Sequence, residues 1–92
     1  MDTPIMLKAQ HILVSHEYEA KDLEVKIKRG EDFEKLARDF SLCPSGKQGG
    51  DLGEFPKGKM VAAFEKALLA LKPGQVSAIV RTQFGYHLIK RL

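Results

Sequence analysis

The chain has 92 residues, 43% of them apolar and 29% charged, the proportions of one soluble globular domain rather than of a disordered or membrane-spanning chain. Its one cysteine excludes an internal disulfide and leads us to expect a reducing, cytoplasmic compartment. The net charge of +3 comes from basic residues interleaved with acids, so no nucleic-acid partner is expected.

Met1–Met6 lacks the basic and apolar stretches of a signal peptide, and no apolar run approaches the ~20 residues of a transmembrane helix. We expect a single domain over residues 1–92, with a core of about 9–92, no membrane contact and a monomer.

Ala9–Val14 is short and rich in apolar side chains, which predicts a strand. Alternation puts Ala9, His11 and Leu13 on one face and Gln10, Ile12 and Val14 on the other. Both faces carry apolar groups, so a central strand is expected. His16, among Ser15, Glu17 and Glu19, reads as a solvated loop residue.

Glu17–Arg29 has Ala20, Leu23 and Ile27 at helical spacing, and Gly30 suits the left-handed C-terminal position. Asp32 suits the N-cap of a second helix, in which Phe33, Leu36, Ala37 and Phe40 form the buried face. Cys43–Gly50 carries three glycines and a proline, which predicts a loop. Asp51–Phe55 reads as a short strand in which Leu52 and Gly53 approach their neighbours closely. Pro56–Lys59 reads as a turn.

A third helix is predicted over Val61–Leu71, with Phe64, Ala67, Leu68 and Leu71 as its apolar stripe. Lys72–Gln75 stops it. Val76–Arg81 reads as a strand, Thr82–Gly85 as a turn, and Tyr86–Arg91 as the last strand. The resulting order, β-α-α-β-α-β-β, is that of a mixed α+β domain.

Two histidines, His11 and His87, sit in apolar strands near opposite ends of the chain. If those strands pair, the rings become neighbours, and each can fix the tautomer of the other. Cys43 could then share their pocket. These three lack the short-range ligand spacing of a zinc site, so no metal or other cofactor is expected. No thiol-protease motif surrounds Cys43, and a single cysteine is commonly a small apolar filler. Gly46–Gly50 lacks the spacing of a phosphate loop and leads into Asp51, not a helix. Leu52, Met60, Phe64 and Phe84 lie at turns or element ends. Together near the histidines they would form a shallow apolar cleft for a ring-shaped side chain.

Several segments, in order, carry a family resemblance: His11–Val14, Phe33–Ser41, Cys43–Lys47, Gly49–Phe55, Gly58–Val61 with Phe64–Glu65, and Thr82–His87. With them the chain resembles the parvulin-type (PpiC-type) peptidyl-prolyl cis/trans isomerases, above all the small stand-alone bacterial parvulins, from about Ala9 to Leu92. The resemblance implies an FKBP-like, four-stranded antiparallel sheet with the first and last strands central, surrounded by about three to four helices. It implies catalysed rotation of Xaa-Pro bonds in unfolded or nascent polypeptides.

By position, the resemblance matches His11 and His87 to the family's paired histidines and Cys43 to its variable cysteine or aspartate. Thr82 matches the hydroxyl that bonds the pair. Leu52, Met60 and Phe64 match the wall that receives proline, and Phe84 the pocket edge. Family members that read phosphoserine or phosphothreonine use a basic cluster after the first strand. Here that loop, Ser15–Glu19, is acidic, and carboxylates repel a phosphate dianion. No phosphate-directed specificity is expected, and the residue before proline is expected to be uncharged or apolar. The targeting modules and basic tails of other members are also expected to be absent.

Overall fold

The computed structural model describes residues 5–92. Its elements run β1 (Met6–Val14), α1 (Glu17–Lys28), α2 (Phe33–Phe40), a 3-10 helix (Pro44–Gln48), β2 (Asp51–Pro56), α3 (Ala62–Leu69), β3 (Val80–Thr82) and β4 (Gly85–Arg91). The strands form one antiparallel sheet in the order β2-β1-β4-β3, so the first and last strands are central, as expected.

The sheet separates two cores, which explains why β1 has no polar face. Ile12, Val14 and Leu88 pack with Ala20 and Leu23 of α1 and with Phe33, Leu36 and Ala37 of α2. Leu7, Ala9 and Ile89 pack on the other side with Phe55 of β2 and with Phe64 and Leu68 of α3. Period-two alternation along β1 sorts its residues between these layers. In the register between β1 and β4, His11 faces Ile89 and Leu13 faces His87. Both histidines therefore project from the α3 side, two residue pairs apart along the strands.

α1 ends as expected, with Gly30 at a φ of 92° after the Arg29 cap. His16 is exposed, but it is not a plain loop residue. It is the N-cap of α1, and its backbone N–H donates to Glu19 Oε1 at 3.1 Å in a reciprocal capping box. Asp32 caps α2 by position only, with no side-chain bond.

Four local expectations need correction. Phe40, the last residue of α2, is 46% exposed; Lys26 Nζ lies 4.8 Å from its ring centroid, and a surface pocket separates it from Val14, Tyr18 and Leu23. Cys43–Gly50 is not an open loop. Pro44 starts a 3-10 helix there, with Gly46 N–H donating to the Cys43 carbonyl at 2.9 Å and Gly49 N–H to the Gly46 carbonyl at 3.0 Å. Gly53 has open space around it, whereas Gly50 and Gly85 are pressed against neighbouring backbone.

Val76–Ile79 is not strand, and β3 is only Val80–Thr82. At Ser77 the backbone N–H still donates to the Ile89 carbonyl at 2.7 Å. The returning bond, however, runs from Ile89 N–H to the Ser77 hydroxyl at 3.1 Å. A side chain has replaced the ladder carbonyl, and regular pairing breaks there.

Candidate active site

Both histidines are buried, His11 at 5% and His87 at 4% exposure, at the end of the sheet under α3. Three features hold them. The His11 backbone N–H donates to the Gly50 carbonyl at 3.0 Å, next to a register irregularity of β1 against β2 between Lys8 and Gln10. Gly50 lies so close that a β-carbon there would run into the His11 carbonyl oxygen. On the other strand, Thr82 Oγ1 lies 2.7 Å from His87 Nε2 and accepts the Phe84 N–H at 3.1 Å.

The two rings meet through Nδ1, 3.2 Å apart, and lie within 17° of coplanar. One of these nitrogens must carry the proton and the other accept it. If Thr82 donates its hydroxyl hydrogen to His87 Nε2, then His87 Nδ1–H donates to His11 Nδ1 and His11 holds its own proton on Nε2. The reverse order leaves the Thr82 hydroxyl hydrogen without an acceptor. His11 Nε2 is buried without a partner in either case.

Burial, and then the facing His87, lowers the His11 pKa to about 4. Burial also lowers that of His87. The pair is thus neutral near pH 7. Phe64 stands nearly perpendicular to both rings, with centroids 5.5 Å from His11 and 5.6 Å from His87.

A cavity of about 450 Å³ opens on this pair. Leu52, Met60, Phe64 and Phe84, the four residues expected to form a cleft, all line it, together with His11, His87 and Cys43. Thr82 does not line the cavity and acts on it through His87 and Phe84. Cys43 is half-buried, and its Sγ accepts the Ser45 hydroxyl at 3.3 Å.

Leu13, Leu42, Pro44, Lys59 and Val61 also line the cavity and were not anticipated. Leu13 was legible, because it shares the face of His11 along β1. The others flank Cys43 or Met60 in turns, where no periodicity marks the direction of a side chain. Leu42 is fixed by its backbone N–H, which donates to the Leu13 carbonyl at 2.8 Å, while the Ser41 hydroxyl accepts the N–H groups of Leu13 at 3.1 Å and Cys43 at 3.3 Å.

Known proteins share this fold. The family model for the rotamase, or PPIC-type PPIASE, domain matches residues 8–92. Foldase protein PrsA of Geobacillus kaustophilus is 52% identical over 85 residues, 91% of this chain and 30% of the relative. PrsA of Bacillus subtilis is 49% identical over 86 residues, 92% of this chain and 30% of the relative. The chain therefore spans under a third of the length of these curated relatives.

Among solved structures, PrsA from Bacillus anthracis superposes with a TM-score of 0.93 at 46% identity, over 96% of this chain and 41% of that one. NmPin, the parvulin of Nitrosopumilus maritimus, superposes with a TM-score of 0.84 at 44% identity, over 100% of this chain and 99% of that one. The fold, the placement of the paired histidines and a family match over nearly the whole chain lead to one assignment: the chain belongs to the PPIC-type peptidyl-prolyl cis/trans isomerase family.

Proposed function

We propose that this chain accelerates rotation about Xaa-Pro bonds of unfolded polypeptides, by a non-covalent route and without phosphate direction. The observation that carries the proposal is the apolar cavity opening directly on a neutral imidazole pair.

An amide resists rotation by about 18–20 kcal/mol because of its C–N double-bond character. Before proline the two isomers are close in energy, yet they exchange only over tens to hundreds of seconds. A catalyst needs only to favour the twisted amide, in which nitrogen and carbonyl are uncoupled. Leu52, Met60, Phe64 and Phe84 would grip the proline ring while the preceding carbonyl turns. An apolar site disfavours the planar, more dipolar amide relative to the twisted one. The Thr82–His87–His11 chain of hydrogen bonds supplies a fixed polar floor of neutral groups. No net proton is transferred, so no acid, base or Cys43 adduct is required.

The absence of phosphate direction is supported by the lack of a basic cluster in the residues after β1, Ser15–Glu19. The foldase relatives support unfolded polypeptides as the substrate class.

Met60→Ala tests the reading. Met60 is half-buried and lines the cavity, so its truncation should spare the fold. Exchange spectroscopy on an Ala-Pro peptide should show a large loss of catalysed exchange. A wild-type chain that binds such peptides without speeding their exchange would show a binding module instead.

A further inference from the structure

The acids after β1 do not set the charge of the cleft. Glu17 pairs with Lys21 at 3.0 Å and Glu19 with His16 at 3.3 Å, both along α1, and neither lines the cavity. Both imidazoles at its floor have lowered pKa values through burial. The one formally charged side chain that lines it is Lys59, in the turn between β2 and α3. The two nearest acids in sequence are engaged elsewhere, since Glu54 pairs with Lys8 at 3.5 Å and Glu65 Oε1 accepts the Gly58 N–H. Lys59 is exposed and has no ion-pair partner among the described residues; Lys28, Lys47, Lys57, Lys66, Lys72 and Lys90 share that lack, but none of them lines the cavity. Lys59 is followed directly by Met60 and Val61, which also line the cavity.

We propose that Lys59 is a specificity-determining residue, which makes the cleft favour substrates with a carboxylate side chain next to the proline. The inference rests on the isomerase reading above and reverses the sequence-based expectation of uncharged or apolar neighbours. The physical reason is local. A peptide lying in an apolar cleft displaces water from around Lys59, and a neighbouring carboxylate replaces part of that lost hydration. A single flexible ammonium suits a monoanion. A phosphate dianion ordinarily draws on several cations or an arginine fork.

The test uses peptides that differ only beside the proline, with Glu-Pro, Gln-Pro, Lys-Pro and phosphoserine-Pro members. Affinity is read by NMR titration and turnover by exchange spectroscopy. Glu-Pro should bind about 2- to 5-fold more tightly than Gln-Pro at low salt, the range of an exposed ion pair, and the ratio should fall toward one as salt is raised. Lys59→Glu should reverse the preference toward Lys-Pro. Lys57→Glu, an exposed residue of the same turn that does not line the cavity, should leave the ratio unchanged.

A Glu-to-Gln ratio equal in the wild type and in Lys59→Glu overturns the proposal. So does an equal effect of Lys57→Glu, or a more than tenfold preference for phosphoserine over glutamate. Charge-dependent binding without faster exchange supports the role of Lys59 and removes the isomerase reading alone. A chain that binds none of the peptides removes both.

Discussion

The Nδ1 atoms of His11 and His87 lie 3.2 Å apart, although 76 residues separate them in the chain. The contact exists because β1 and β4 pair centrally, in a register that sets Leu13 opposite His87. It is a contact between neutral rings. A proton on both Nδ1 atoms would place two N–H groups head to head in an apolar setting. The site is therefore built around uncharged imidazole.

This neutrality links stability to pH. Unfolded His11 would take up a proton near 6.5, whereas in the fold burial and then His87 lower its pKa to about 4. Between those values the unfolded chain holds more protons, so stability rises with pH across that window. The contribution is present above 6.5 and is lost as pH falls through about 4. His87 is shifted in the same direction by burial and adds to the trend. Urea unfolding in steps of pH should show the decline, and the His11 ring resonances should titrate far below 6.5.

Thr82 contacts His87 and does not line the cavity. Thr82→Val keeps the shape but removes the oxygen that lies 2.7 Å from His87 Nε2 and accepts the Phe84 N–H. Each hydrogen bond lost should cost about 0.5–1.5 kcal/mol. Nitrogen-15 shifts of His87 should report a change of tautomer population, and turnover should fall more than peptide affinity. Thr82→Ser, which keeps the hydroxyl, should restore both.

Gly50 is required for packing as well as for its backbone. Its φ is 84°, and an added β-carbon would collide with the His11 carbonyl. Gly50→Ala should lower stability by more than the ~1 kcal/mol of an ordinary glycine–alanine propensity difference. It should also displace His11, so a thermal melt and a peptide-exchange assay should both register the change.

Strict periodicity made much of this fold legible. The alternation of Ala9, His11 and Leu13 against Gln10, Ile12 and Val14 assigned both faces of β1 correctly, since a strand buried on both sides has no other arrangement. What failed were places where one side chain overrides a local pattern. The Ser77 hydroxyl takes the role of a ladder carbonyl, which alternation over Val76–Arg81 does not reveal. Phe40 keeps the helical spacing of Phe33 and Leu36, but it ends α2 and stays partly exposed. In the site, the strand and α-helix residues other than Leu13 were found, as were Cys43, Met60 and Phe84 at turns, whereas Leu42, Pro44 and Lys59 were not. Their directions are set by turns, and turns are fixed by tertiary bonds such as Leu42 N–H to the Leu13 carbonyl.

Phe64 serves both the core and the site, so its truncation is not a clean probe of catalysis. It is 3% exposed and packs with Leu68 and Ile89. Phe64→Ala should cost about 3–5 kcal/mol, a large share of the ~5–15 kcal/mol of a typical domain. Phe64→Leu retains most of the apolar volume and should remain folded with reduced turnover. Because burial is the main cause of the low His11 pKa, either change should move the His11 titration upward. A midpoint unchanged in folded Phe64→Leu would show that Phe64 does not keep the pair dry.

Cys43 separates covalent from non-covalent chemistry. Its Sγ accepts a bond from the Ser45 hydroxyl and lines the cavity, but no hydrogen bond joins it to either imidazole among the described residues. A nucleophilic thiol ordinarily has its base within hydrogen-bond reach. Cys43→Ala and Cys43→Ser should therefore retain measurable isomerase activity. Alkylation of the wild-type thiol with a bulky reagent should abolish it, because the adduct would fill the space meant for proline. The alkylation block should be absent in Cys43→Ala, whose residual rate should survive the reagent unchanged. A folded Cys43→Ala protein with no activity at all would establish an essential thiol and exclude the purely non-covalent mechanism.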